Sequence, residues 1–208
     1  MRPQDLNLYL VTDRLLSRGR DIGWIVTQAV EGGVTMVQLR EKGTSTREFI
    51  ELALRIKNIL HPLGVPLLIN DRLDVALAVD ADGVHIGQTD MPCEIARRLL
   101  GPDKIIGLTV ENMGDMLRAN ELAVDYVGVS PVYSTTTKAD TAAPFGLDGL
   151  REAVRLSVHP TVAIGGMNAR TAVNVMACGT DGIAVVSAIV SADSPLEAAR
   201  NLKEILKK

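Results

Sequence analysis

Three observations predict an α/β protein, a (β/α)8 barrel of the TIM type filling one domain over residues 1–208. Eight short apolar runs alternate with helix-length amphipathic segments along the chain. The 208-residue length suits a closed barrel, which often takes roughly 200–250 residues. Hydrophobic residues make up 47% of the chain and aromatics only 3%. The core must therefore be built from Val, Ile, Leu and Ala, as in strands buried on both faces.

The strands are expected at Leu8–Thr12, Met36–Leu39, Pro66–Ile69, Gly83–Ile86, Ile105–Thr109, Tyr126–Val129, Thr161–Ile164 and Gly182–Val185. Helices are expected at Asp21–Glu31, Ser45–Leu60, Asp71–Val79, Met91–Leu100, Asn112–Leu122, Leu147–Leu156, Ala169–Cys178 and Ser194–Leu206. Repeated βα units imply a parallel sheet with right-handed crossovers. An open doubly wound sheet is the competing architecture, but no GxGxxG follows the first run. Ser45 with Glu48 reads as a capping box. Gly179 reads as a helix stop, and Gly64-Val65-Pro66 as a helix exit into a strand. The longest connection is Ser130–Gly146, where a barrel keeps function in a loop.

Charge and cysteine content exclude several classes. With 22 basic and 25 acidic residues, net charge is −3. Nothing there suggests a nucleic-acid or membrane partner. Cys93 and Cys178 lie far apart and read as small apolar fillers. No apolar run approaches the roughly 20 residues of a membrane span. Asp5, Asp13 and Arg14 interrupt any secretory pattern at the N-terminus. A cytoplasmic protein is expected, and a homo-oligomer is compatible with these features.

Barrel active sites lie at the C-terminal ends of the strands. After the second strand come Gln38, Leu39, Arg40, Glu41 and Lys42. Alternation starts Gln38, Arg40 and Lys42 on one face and Leu39 and Glu41 on the other. Two cations and an amide at the mouth suit either an anion or an ion-pair layer with neighbouring strands. After the third and fourth strands come Asn70-Asp71-Arg72 and Gly87-Gln88-Thr89-Asp90. Asp71 and Asp90 can approach each other and suit Mg2+. Helix N-capping is the commoner use of such aspartates.

The long loop holds Ser134-Thr135-Thr136-Thr137-Lys138, hydroxyls and a lysine suited to an oxyanion. Gly165-Gly166-Met167-Asn168 follows the seventh strand and is expected to open a helix, and Val186-Ser187 follows the eighth. Loops after strands seven and eight recurrently bind phosphate in this architecture. His61, His85 and His159 have no obvious nucleophile partner in sequence, and His85 faces either the core or a layer of residues behind the site. The residues together describe a phosphate cradle opposite a cationic cluster and a carboxylate pair.

In this order and at strand ends, the motifs Leu8–Asp13, Gln38–Lys42, Asn70-Asp71-Arg72, Thr135–Lys138 and Ile164-Gly165-Gly166 resemble the thiamine phosphate synthase family. The resemblance runs over nearly the whole chain. It implies a transferase that condenses 4-amino-2-methyl-5-hydroxymethylpyrimidine diphosphate with 4-methyl-5-hydroxyethylthiazole phosphate. The products are thiamine phosphate and pyrophosphate, formed through a dissociative pyrimidine-methylene cation. It further implies Mg2+ on Asp71 and Asp90. Gln38, Leu39, Arg40, Glu41, Lys42, Asn70, Thr109 and Lys138 would bind the pyrimidine diphosphate, with Arg40, Lys42 and Lys138 catalytic. Thr135, Thr136, Thr137, Gly165, Gly166, Val186 and Ser187 would hold the thiazole phosphate. Two departures stand out: Thr109 where the family has a serine, and Ser134 where proline is frequent.

Three rival readings accompany it. A thiazole tautomerase of the sister family would share the barrel and cradle without needing the diphosphate apparatus. A non-catalytic sensor would bind a heterocycle phosphate without turnover. A Schiff-base aldolase would need a neutral lysine, which anion-binding segments disfavour. The segment Ser134–Pro144 is expected to close over bound substrate and exclude water.

Overall fold

A computed structural model describes residues 3–135 and 142–207. Eight parallel strands form a closed barrel in chain order, with β8 returning to pair with β1. They are β1 Leu8–Val11, β2 Met36–Leu39, β3 Leu67–Asn70, β4 Gly83–Ile86, β5 Ile105–Val110, β6 Tyr126–Val129, β7 Thr161–Ile164 and β8 Gly182–Val185. The helices outside are α1 Ile22–Glu31, α2 Thr46–Leu60, α3 Leu73–Val79, α4 Cys93–Leu100, α5 Met113–Ala119, α6 Gly146–Leu156, α7 Ala172–Met176, α8 Ser187–Val190 and α9 Pro195–Leu206. Among the described residues, no helix is long and apolar enough to cross a membrane.

The strand bounds shift where chemistry requires it. Pro66 has no N–H to donate, although its carbonyl accepts from Val37 at 3.0 Å. Regular pairing of β3 therefore begins at Leu67, and Asn70 extends it opposite His85. The capping box at Ser45 is present in both directions. Gly64 exits through the left-handed region at φ 64°. α7 begins at Ala172 rather than Ala169 because side chains compete for the backbone ahead of it. Asn168 Nδ2 and Thr171 Oγ1 each donate to the Gly166 carbonyl at 3.0 Å. The short α8 and two 3-10 turns, Pro3–Leu6 and His61–Leu63, carry too little periodicity to be read from sequence.

Strand alternation sorts the core into two layers. Leu8, Leu10, Val37, Leu39, Ile69, Val84, Ile106, Val127, Ala163 and Ile183 face the helices. Tyr9, Val11, Met36, Leu68, Ile105, Tyr126, Val162 and Ala184 fill the barrel interior. Both layers are buried, so the strands read as continuous apolar runs. Each buried aliphatic side chain contributes about 1.5–3 kcal/mol.

At the N-terminal end of the barrel one device repeats. Asp82, Asp125 and Asp181 precede β4, β6 and β8. Each carboxylate accepts a backbone N–H from the strand before it: Leu67 at 2.8 Å, Ile106 at 2.8 Å and Thr161 at 2.7 Å. These bonds hold the register of β3, β5 and β7 and leave the opposite end free for chemistry.

Two tyrosines are the largest fully buried side chains, and both lie inside the barrel. Tyr126 fits because β5 offers Gly107 beside it: a Cβ there would lie 2.1 Å from Tyr126 Cζ. Gly107→Ala is therefore expected to destabilise by about 3 kcal/mol through overpacking. Urea denaturation checks this, and an unchanged midpoint would contradict the packing account.

Candidate functional site

A cavity of about 660 Å3 opens at the C-terminal ends of the strands. Gln38, Arg40, Lys42, Asn70, Asp71, Asp90, Thr109, Thr135, Gly165, Gly166, Val186 and Ser187 all line it. Thus residues far apart in sequence, from every part of the barrel, meet at one mouth. Thr136, Thr137 and Lys138 lie outside the described residues, as does most of the segment expected to close.

Two residues expected at the site do not reach it through their side chains. Leu39 is fully buried between barrel and helices. Glu41 is buried on the same outward side, where Oε2 accepts from Arg14 Nε at 2.7 Å. The cause is strand alternation, which sends Gln38 and Arg40 inward and their neighbours outward. Glu41 Oε1 has no hydrogen-bond partner among the described residues.

Both cations at the mouth have protein partners. Arg40 Nη1 donates to Asp13 Oδ2 at 2.7 Å, and Asp13 Oδ1 in turn accepts the Leu16 N–H at 3.1 Å. Asp13 thereby aims the guanidinium, whose planar fork keeps further donors for a ligand. Lys42 Nζ donates to Asp71 Oδ2 at 2.7 Å. So the ion-pair layer exists, and the same groups line the cavity.

Neither acidic residue caps its helix. Arg72 and Pro92 occupy the N-cap positions of α3 and α4, without side-chain capping bonds. Asp71 instead sits at φ 61°, a left-handed conformation uncommon outside glycine. Asp90 Oδ2 accepts the Gly87 N–H at 2.7 Å. Burial, and then the Asp71 carboxylate beside it, raise the Asp90 carboxyl above the usual carboxylate range. Two like charges in contact in a half-dry place favour a cation between them. Among the described residues no group of three metal-ligating side chains occurs. Two carboxylates with vacancies left for water or phosphate are what Mg2+ uses.

Across the mouth, Gly165 and Gly166 have φ of 95° and 72°. A Cβ on Gly165 would lie 2.6 Å from Pro131 Cβ, and one on Gly166 2.7 Å from Tyr133 Cβ. The pair lets the loop after β6 pack on β7, with Val132 N–H bonded to Ile164 O at 2.8 Å. The expected helix does not start here: residues 165–171 form a turn, and α7 begins at Ala172. The helical start at the mouth is α8 instead, directly at Ser187, where the first amides have no intrahelical acceptor.

Sequence reasoning missed Tyr9 and Tyr126, and left His85 undecided. All three line the floor of the cavity. Gln38 Nε2 donates to Tyr9 Oη at 2.7 Å, and Tyr9 Oη lies 2.9 Å from Tyr126 Oη. His85 bridges Tyr126 Oη and Thr109 Oγ1, at 2.8 Å each. Period-2 counting from Gln38 across the paired strands could have found them, once register was known.

Asp71→Asn is expected to lower the Asp90 carboxyl pKa, because it removes the neighbouring charge. A carboxyl-carbon NMR titration checks this; an unmoved Asp90 would mean that burial alone raises it.

Known proteins are similar to the chain over nearly its whole length. A family model described as thiamine monophosphate synthase matches residues 8–189. A thiamine-phosphate synthase of Albidiferax ferrireducens is 52% identical over 99% of this chain and 94% of its own. One of Chloroflexus aurantiacus is 54% identical over 97% of this chain and 93% of its own. The solved structure of thiamine phosphate pyrophosphorylase from Pyrococcus furiosus superposes with a TM-score of 0.91 at 38% identity, covering 99% of this chain and 97% of that one. The chain belongs to the thiamine monophosphate synthase family of transferases.

Proposed function

We propose that the chain joins a hydroxymethylpyrimidine diphosphate to a thiazole phosphate, giving thiamine phosphate and pyrophosphate with Mg2+ as cofactor. One observation carries the reading: paired cations and paired carboxylates line one wall of the cavity that Gly165, Gly166 and Ser187 line on another. The names of the similar proteins support the same reaction.

The lining residues set what the protein must do. Arg40 and Lys42 are already matched by Asp13 and Asp71, and Asp90 adds a further acid. A diphosphate entering this balance needs more positive charge than the described groups supply. When bound at Asp71 and Asp90, Mg2+ would supply Lewis-acid neutralisation of the diphosphate oxygens. Lys42, which donates to Asp71 at 2.7 Å, would add a fixed positive charge beside that site.

Bond making and breaking then need little from the protein. The bond between methylene carbon and diphosphate oxygen breaks, and its electron pair leaves with pyrophosphate. The aminopyrimidine stabilises the cation, and the thiazole nitrogen lone pair forms the new carbon–nitrogen bond. No proton moves, so no general base is required. Arg40 and Lys42, with Lys138, hold the departing charge. Asn70, Gln38 and Thr109 hold the pyrimidine side. Thr135, Thr136 and Thr137, with Gly165, Gly166, Val186 and Ser187, hold the thiazole phosphate. Fixing two substrates in line is worth about 7–11 kcal/mol of barrier at best.

The test is thiamine phosphate formation from the two substrates, with and without Mg2+. Product is expected only with the metal, and Asp71→Ala is expected to abolish it. Lys42→Ala is expected to lower kcat by about 10²–10³, as for loss of one preorganised charge-stabilising donor. No product under either condition, with thiazole phosphate still bound, would favour the tautomerase or sensor instead.

A further inference from the structure

The polar chain on the cavity floor runs Gln38–Tyr9–Tyr126–His85–Thr109 and crosses the barrel interior from β2 to β5. Four contacts of 2.7, 2.9, 2.8 and 2.8 Å link it without a gap. Each phenol has a single proton, and each imidazole nitrogen has one role at a time. The direction of one bond therefore dictates the next.

Gln38 Nε2 donates to Tyr9 Oη. Tyr9 must then send its own proton to Tyr126 Oη. Tyr126 in turn donates to His85 Nδ1, which leaves the imidazole proton on Nε2. That N–H donates to Thr109 Oγ1, so the Thr109 proton is released toward the cavity that Thr109 lines. If the middle of the chain alone were reversed, Tyr9 would accept from two donors and keep a buried proton without an acceptor. Reversal is coherent only if the Gln38 amide turns over as well. Burial raises both phenols far above their ordinary range, so neither ionises and breaks the sequence of donors.

We propose that this buried chain makes His85 a positioning residue, holding it as the Nε2–H tautomer so that Thr109 presents a hydrogen-bond donor to the substrate ring. The ligand group recognised is an unprotonated acceptor, such as a ring nitrogen. That identification rests on the pyrimidine reading above; the polarity itself does not. A serine at Thr109 would serve equally, because only the hydroxyl is used.

Two measurements test it. Nitrogen-15 NMR of the histidine-labelled wild type reads which imidazole nitrogen carries the proton, with the His85 signals assigned by their loss in His85→Gln. The Nε2–H tautomer is expected; the Nδ1–H tautomer or an imidazolium would overturn the proposal. A double-mutant cycle then combines Tyr126→Phe with Thr109→Val and reads kcat/KM for the pyrimidine diphosphate. Tyr126→Phe alone is expected to cost about tenfold, the upper range for one neutral hydrogen bond. In the Thr109→Val background it is expected to cost nothing further, and Thr109→Ser is expected to restore the coupling. Additive losses would assign Tyr126 a purely packing role and overturn the proposal. A wild type that forms no thiamine phosphate would overturn the pyrimidine reading, and the tautomer result would then decide the polarity alone.

Discussion

Closing eight short strands into a barrel forces every strand side chain to face either the helices or the axis. The whole molecule follows from that choice. Outward positions meet helices and are aliphatic, as at Leu8, Leu10, Val37 and Leu39. Inward positions near the N-terminal end pack against one another, as at Met36, Leu68, Ile105 and Val162. Of the inward positions near the other end, Gln38, Asn70 and Thr109 form the floor and walls of a cavity. The same alternation that removes Leu39 and Glu41 from the mouth delivers Gln38 and Arg40 to it.

Charge at the mouth is balanced before any ligand arrives. Asp13 holds Arg40, and Asp71 holds Lys42. The ion-pair layer is therefore present, and the residues that form it also line the cavity. An arginine so held loses less freedom on gripping a phosphate than a swinging one would. The unfavourable contact is between Asp71 and Asp90, with Asp90 raised by burial and by its neighbour. A divalent cation is the simplest group that relieves it while attracting a polyanion.

Much of the barrel was legible in the sequence because its strands are bounded by sharp composition changes. β2, β4, β6, β7 and β8 run over the residues expected of them. Helix starts were less legible where polar residues precede them. Asp71 and Asp90 look like caps, yet Arg72 and Pro92 hold those positions. Gly165-Gly166 looks like the opening of a helix, yet Asn168 and Thr171 bend the chain back onto the Gly166 carbonyl. The chain from Gln38 to Thr109 was not legible at all. It depends on the relative register of β1, β2, β4, β5 and β6, and no single segment carries that information. The aspartates at 82, 125 and 181 were overlooked for the same reason, although each immediately precedes a strand and a neighbouring amide lies within 2.8 Å.

On the reading proposed above, Asp71 and Asp90 form a metal site completed by the substrate's own diphosphate. Electron paramagnetic resonance of Mn2+, standing in for Mg2+, measures this directly in a titration with and without the pyrimidine diphosphate. Weak binding is expected to the protein alone, strong binding when the diphosphate is present, and loss of that enhancement in Asp90→Asn. Equal Mn2+ affinity in all three cases would contradict it.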